Sequence, residues 1–227
     1  MNNYLINNFD DLKNVSSNYN INLNDVQLNS FKKYYEILLD WNKKINLISR
    51  KESNILEKHF LDSILFLPEI EDIARRSISA SMNVFDIGSG GGFPAIPLAI
   101  MKPEWKFVLC ESITKKANFL NHLVKELNLT NQCEIVNARV GAFHGMPLHP
   151  NNKYDLVTAR AISKLDELTK YSLPLLKKGG YLLTYKGKNV EEEIKTTEKK
   201  YNLPIEIFTK EVNGIERKLV VVKRDNS

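Results

Sequence analysis

The segment Val84-Phe85-Asp86-Ile87-Gly88-Ser89-Gly90-Gly91-Gly92-Phe93-Pro94 constrains the fold more than any other part of this chain. A short β-rich run enters a loop with four glycines in five residues, and Pro94 then opens a helix-length segment. Glycines let the backbone turn sharply and approach a ligand closely, and proline is pre-set for the first turn of a helix. A strand, a tight turn and a helix in that order form half of a β-α-β unit. The pattern continues downstream: β-rich runs at Asn83–Ile87, Lys106–Cys110, 133–137, 155–159 and 181–185 alternate with helical stretches ending near residues 101 and 127, and with helices at 166–177 and 190–201. A helix-poor loop fills the interval up to Lys153. Repeated β-α units predict a doubly wound, largely parallel sheet with helices on both faces. The end departs from that rhythm, because Ile205–Val212 and 217–223 flank Asn213-Gly214, a strong hairpin signal. The predicted fold is therefore α/β, Rossmann-like, finishing in an antiparallel hairpin.

The first 80 or so residues read differently. Asn24-Asp25 offer caps to a helix whose apolar stripe holds Leu28, Phe31, Tyr34, Tyr35, Leu38, Leu39 and Trp41. A second helical stripe covers residues 52–67 and stops at Pro68. These residues predict an N-terminal helical extension, 1–81, packed on a core domain of 82–227. Helix spacing reads the Trp41 and Tyr34/Tyr35 stripe as core packing in preference to an RNA-stacking platform. Composition excludes other classes. Apolar residues make up 43% and charged residues 26%, which is the balance of a globular protein. No run reaches the roughly 18 apolar residues of a membrane span, and the N-terminus lacks a basic leader before an apolar block, so a cytoplasmic protein without a membrane partner is expected. Cys110 and Cys133 are too few for a disulfide scaffold, no His/Cys spacing fits a metal, and both thiols are read as core residues. The net charge of +5 fits an acidic partner such as nucleic acid, and equally a compositional bias that also supplies 25 asparagines.

Glu111 lies 23 residues after Gly88, at the end of the second β run. Doubly wound sheets place a ribose-binding carboxylate about 20 residues after the glycine turn. The physical reading thus assigns nucleoside-cofactor contacts to Gly90 and Glu111. The loop is G-x-G-G-G, not the G-x-G-x-x-G of dinucleotide enzymes, so a nicotinamide oxidoreductase is disfavoured. Spacing, Asp86 and terminal hairpin together resemble class I S-adenosylmethionine (SAM) methyltransferases. The resemblance implies SAM as cofactor, S-adenosylhomocysteine as product, and a role for Asp86 at the methionine end, beside its simpler role of bracing the turn.

Further segments carry a closer likeness. They are Leu39-Asp40-Trp41-Asn42-Lys43-Lys44-Ile45-Asn46-Leu47, His59-Phe60-Leu61-Asp62-Ser63, residues 86–97, residues 154–161, Lys186-Gly187 and residues 216–223. In this order they resemble the glucose-inhibited division protein B family, bacterial methyltransferases acting on guanine N7 of 16S ribosomal RNA. W-N-K-x-x-N-L followed by H-x-x-D-S is the most specific part. The resemblance implies cofactor contacts at Gly88, Phe93, Val140, Gly141 and Arg160. It also implies 16S RNA or the 30S subunit as partner, and a monomer is expected. The family usually has glutamate where Gly141 stands, so a side-chain hydrogen bond to the adenosine would be lost there. Arg160 has a second reading as an ion-pair partner of nearby Asp155.

Guanine N7 carries a lone pair and no proton, so attack on a sulfonium methyl needs no general base and positioning should carry the catalysis. In keeping with that, the chain has no D/N/S-P-P-aromatic motif of the kind that serves exocyclic amines. RNA-positioning candidates are Lys115, Lys116, Arg139, Lys186 and Arg217, with a solvated basic face as the alternative reading. Lys177 and Lys178 read as the C-terminal cap of a helix. None of His59, His122, His144 and His149 is read as a general base: His59 reads as a structural histidine remote from the glycine loop, hydrogen-bonded near Asp62, and His144 and His149 lie in a Gly/Pro loop with no identifiable partner. Two other functions remain open at this point: methylation of a small molecule, which would need a closed apolar pocket, and a non-catalytic ribosome-binding role with a retained SAM site.

Overall fold

The computed structural model describes residues 6–76, 81–140, 154–160, 163–187 and 190–225. Seven strands form one sheet in the order β3-β2-β1-β4-β5-β7-β6. The strands are β1 (Asn83–Ile87), β2 (Lys106–Cys110), β3 (Cys133–Val136), β4 (Tyr154–Arg160), β5 (Leu176–Lys186), β6 (Ile205–Val212) and β7 (Ile215–Lys223). All neighbours pair in parallel except β7, which is antiparallel to both β5 and β6. The predicted hairpin turn is present, with Asn213 and Gly214 at φ 52° and 73°, the left-handed pair that a two-residue turn requires.

The N-terminal helices are α1 (Phe9–Ser17), α2 (Asp25–Asn42), α3 (Asp62–Ile64) and α4 (Leu67–Arg75), with a π-helical turn, Leu56–Leu61, leading into α3. Asn24 caps α2 as expected, and its capping box closes through Gln27. The expected single helix over 52–67 is corrected. Pro68 does not end a helix there but sits in the first turn of α4, where its missing N–H costs nothing. The remaining helices are α5 (Ala95–Met101), α6 (Thr114–Glu126), α7 (Leu165–Ser172) and α8 (Glu191–Tyr201). Helix α7 stops earlier than its apolar pattern suggests, because 176–186 joins the sheet. Lys177 consequently lies in β5 and pairs with buried Asp155 at 2.7 Å, which corrects its reading as a helix cap.

Each face of the sheet is covered. On one face Val84, Leu156 and Leu183 pack with residues of α1–α6 in a single apolar cluster, so the N-terminal helices share their core with the sheet. On the other, Phe85, Val157 and Leu182 pack with Leu165, Leu168, Val190 and Ile194 of α7 and α8. Full burial of one such side chain contributes about 1.5–3 kcal/mol. Tyr34 is fully buried, and Trp41 is half-buried against Phe119 and His122, in line with the core reading of that stripe. Cys110 and Cys133 are buried free thiols, and burial pushes each up to about 12. No helix among the described residues is long and apolar enough to cross a membrane.

Candidate functional site

Strand order reverses between β1 and β4, and doubly wound sheets bind ligands in the crevice outside the carboxyl ends of the strands at such a point. The glycine loop leaves β1 there. Gly88 and Ser89 donate their N–H groups to Cys110 O at 2.8 and 3.1 Å, which ties the loop to the end of β2. Gly88, Gly90 and Gly92 all take positive φ, at 66°, 51° and 93°. Gly92 has a second constraint, since a Cβ there would lie 2.7 Å from Tyr34 Oη and 3.0 Å from Ile96 Cγ1. Tyr34 reaches this loop from α2 and donates its hydroxyl to Gly91 O. Helix α2 therefore supports the turn from below.

Two carboxylates flank the loop. Glu111 is buried, and its oxygens accept from Gly90 N at 2.9 Å and Ile113 N at 2.8 Å. It braces the glycine turn through one oxygen while each oxygen keeps a second lone pair. Asp86 is fully buried, and Oδ1 accepts from Thr158 Oγ1 at 2.7 Å across the β1–β4 register that pairs the two residues. Its Oδ2 has no partner. Burial pushes Asp86 up to about 7, opposed by the nearby Ser89 and Thr158 hydroxyls, with the Glu111 charge adding to the rise. A fully buried carboxylate oxygen without a donor is costly within the protein alone. It suits a site whose ligand brings a cationic donor.

A cleft of about 290 Å³ opens beside Gly88, lined by Cys110, Ser112, Arg139, Val140, Glu167 and Tyr171 among others. Arg139 stands exposed on its lining, and Val140 is half-buried. Gly141, His144 and His149 lie outside the described residues. A second cleft of about 440 Å³ lies between the π-helical turn and the carboxyl ends of β4 and β5, lined by His59, Asp62, Arg160, Tyr185, Lys186 and Arg217 among others. A third, of about 430 Å³, lies at the amino ends of the strands around Asn83, Lys106 and Tyr154 and includes no residue of the glycine loop. Among the described residues no three His, Cys, Asp or Glu side chains stand together as a metal site.

Arg160 is not paired with Asp155, which is engaged by Lys177 and by Asn83 N. It donates to Lys58 O and lies over the Phe93 ring at 6.0 Å, linking the end of β4 to the N-terminal helices. The Phe93 side chain packs into an aromatic cluster with Tyr34, His59 and Phe60 at 5.0–5.4 Å centroid separations. His59 is thus corrected on two counts. Its ring is 5.0 Å from Phe93 of the loop, and Asp62 is held by Arg217 instead. Burial and the neighbouring Arg160 cation lower His59 to about 4, so it is neutral at pH 7, with Nε2 buried and unpartnered.

The cations expected at the rim divide into two groups. Lys115 and Lys116, in the first turn of α6, have no carboxylate partner among the described residues, and Lys115 is exposed. Lys186 is 14% exposed, pairs with Glu193 at 2.8 Å and donates to Ser163 O. Arg217 is 13% exposed and binds Asp62 at 2.9 Å and Glu57 at 3.2 Å, clamping β7 to the π-helical turn. In both cases tertiary pairing answers the charge, which sequence position alone does not reveal. Thr158, Tyr34 and Asn42 are absent from the site read from sequence. Thr158 needed the strand register and Tyr34 the approach of α2. Asn42 lies within W-N-K-x-x-N-L, and its Oδ1 accepts from Leu47 N and Ile48 N at 2.9 and 3.1 Å.

Residues 27–220 match the GidB family model, described as rRNA small subunit methyltransferase G. Relatives include ribosomal RNA small subunit methyltransferase G of Desulforamulus reducens, 40% identical over 83% of this chain and 75% of that protein. The protein of the same name from Lactococcus lactis subsp. lactis is 35% identical over 95% of this chain and 90% of that one. Among solved structures, the O-methyltransferase from Bacillus cereus in complex with SAH aligns with a TM-score of 0.59 over 94% of this chain and 97% of its own, at 13% identity. The N-terminal domain of human METTL16 in complex with SAH gives 0.57 over 73% and 70%, at 14% identity. These structural likenesses establish the fold, that of the class I methyltransferases. Sequence identity over nearly the whole length goes further, and the chain belongs to the GidB family of small-subunit ribosomal RNA methyltransferases.

Proposed function

We infer that this protein transfers a methyl group from SAM to N7 of a specific guanine in 16S ribosomal RNA. The observation that carries the reading is the glycine turn at the β1/β4 switch point, flanked by buried Asp86 with a free Oδ2 and by Glu111 with spare lone pairs. SAM, when bound, supplies an electrophilic methyl on a sulfonium. Asp86 fits its ammonium, Glu111 its ribose hydroxyls, and Gly88, Gly90 and Val140 its close approach to the backbone. Gly141 and the backbone at Phe93 complete the set that the family likeness implies.

The 440 Å³ cleft lies across the end of β4 from the cofactor cleft and is large enough for a base. Its neutral His59 and internally paired Asp62 are not arranged as a general base, and a guanine N7 needs none. Arg160 contributes by fixing the N-terminal layer against β4, which sets the distance between the two clefts. Orientation of the lone pair toward the methyl is then the main catalytic contribution of the protein. The described N-terminal helices and sheet form one unit around the core they share, consistent with an extension of residues 1–81 docked on a methyltransferase domain of 82–227.

The test is methylation of 16S RNA, free and within 30S subunits, from a strain lacking this enzyme, followed by borohydride–aniline cleavage. Cleavage at one guanine that requires both protein and SAM is expected. Label appearing only in small molecules, or no cleavage with either substrate, would refute the reading.

A further inference from the structure

Two of the cations expected to meet RNA, Lys186 and Arg217, are answered inside the protein. Exposed positive charge without a buried partner is found instead around the end of α2 and the start of α6. Helices α2 and α6 run antiparallel: Lys33, midway along α2, pairs with Glu126 at the end of α6, at 3.0 Å. Trp41, late in α2, packs on Phe119 and His122 at 5.7 and 5.5 Å. Continuing one turn brings the end of α2 alongside the start of α6. Lys115 shares a helix stripe with Phe119 and His122, at steps of four and seven residues. Lys43, the C-cap of α2, and Lys44 therefore lie near Lys115 and Lys116 in the first turn of α6.

The chain after α2 does not wander from this place. Asn42 Oδ1 accepts from Leu47 N and Ile48 N, folding the segment 43–48 into a compact turn. Leu47 O lies 3.6 Å from where a Cβ on Gly91 would stand, so the turn rests on the glycine loop itself. Arg50 and Lys51 follow, both exposed, and Arg50 donates to Lys43 O at 3.5 Å. Lys43, Lys44, Arg50 and Lys51 thus join Lys115 and Lys116 in one basic rim. Among the described residues only Asp40 pairs with any of them, at 3.6 Å from Lys43 and 3.5 Å from Lys44, in exposed contacts worth little.

Resting on the function inferred above, we propose that the rim formed by the 43–51 segment and the start of α6 is the track on which the phosphodiester backbone of the substrate RNA lies beside the methyl-transfer site. Lysine and arginine side chains that are solvent-accessible and at most weakly paired, beside the glycine loop, suit phosphates, which fix register without reading sequence. The turn's contact with the glycine loop sets the distance from that backbone to the cofactor. The helical layer then has two tasks, supporting the glycine turn through Tyr34 and carrying the RNA.

The test compares the full-length protein with its K43Q/K44Q/R50Q/K51Q variant by filter binding to 16S RNA between about 50 and 300 mM KCl, alongside methyl transfer to the same RNA. A K195Q/K199Q variant on α8 controls for net charge. Removing four phosphate contacts to single-stranded RNA lowers the log–log salt slope by about 3 and the affinity at 0.1 M salt by on the order of 100-fold. S-adenosylhomocysteine affinity is expected to stay unchanged, since none of the four residues lies in the cofactor cleft. A quadruple variant that binds RNA with the wild-type slope while the wild type methylates normally overturns the track and leaves the enzyme assignment standing. The same holds if the α8 control loses as much slope per charge. Binding of the wild type to anionic lipid vesicles but not to RNA, with no methyl transfer, overturns both.

Discussion

Replacing Asp86 by asparagine keeps the side-chain volume and the acceptor for Thr158 while removing the charge. The carboxyl is fully buried, Oδ2 has no donor, and burial lifts it from 3.8 to about 7. Because the folded-state value lies above the unfolded one, the folded protein holds more protons than the unfolded chain between about pH 4 and 7. The associated stability is fully present below that window and is lost as pH rises through 7. At about 1.36 kcal/mol per unit, the interval corresponds to at most about 4 kcal/mol. The substituted asparagine would remain neutral throughout, but its amide N–H2 would inherit the unpartnered position, at a cost of about 1–3 kcal/mol. The expected result is a pH-dependent difference: at pH 5, where wild type has already lost about 1.6 kcal/mol, D86N lies within about 1.5 kcal/mol of it, and by pH 8 D86N gains a further amount of about 2.5 kcal/mol and is the more stable of the two. Urea denaturation of the ligand-free protein at the two pH values measures this directly. In the presence of S-adenosylhomocysteine the order is expected to reverse at pH 8, because ionised Asp86 then faces the ligand's ammonium, and calorimetry should show about 10- to 100-fold weaker binding to D86N. An identical stability difference at pH 5 and pH 8 would refute the reasoning, since the buried carboxyl would not be titrating in that range.

Two further substitutions test the support of the site. G92A places a Cβ 2.7 Å from Tyr34 Oη at φ 93°, so a loss of about 2–3 kcal/mol is expected. Deleting that hydroxyl in Y34F should make the double mutant less destabilised than the sum of the singles, and strict additivity in urea melts would count against the close packing. R217M removes the cation between Asp62 and Glu57 and should cost about 3–5 kcal/mol, because buried Glu57 and largely covered Asp62 both lose their partner. Without Arg217 the Asp62 carboxyl, already raised by burial, rises further above its ordinary value, so this deficit should grow as pH increases from 5 to 8. A loss below about 1 kcal/mol, or one independent of pH, would remove the clamp from the account.

Periodicity and glycine chemistry made the sheet, its hairpin and the glycine turn legible from the sequence, because these depend on local backbone preferences and on which side chains alternate. The same holds for Asp86 and Glu111, which sit at fixed offsets from the turn. Pro68 shows where local reading ran out, since proline both ends and begins helices and only the packing of α4 decides which. Charge was the least legible property. Lys115 and Lys186 look alike in sequence, yet one is exposed and the other closes on Glu193 across a fold that brings β5 against α8. His59 is similar: its distance along the chain from Phe93 concealed a 5.0 Å ring contact. By itself the sequence determined the family, the strand-turn-helix unit and the carboxylates beside it. Tertiary structure alone decided which cations remain free for a polyanion, because burial and pairing depend on what lies across space, and one nearby carboxylate is enough to answer a lysine.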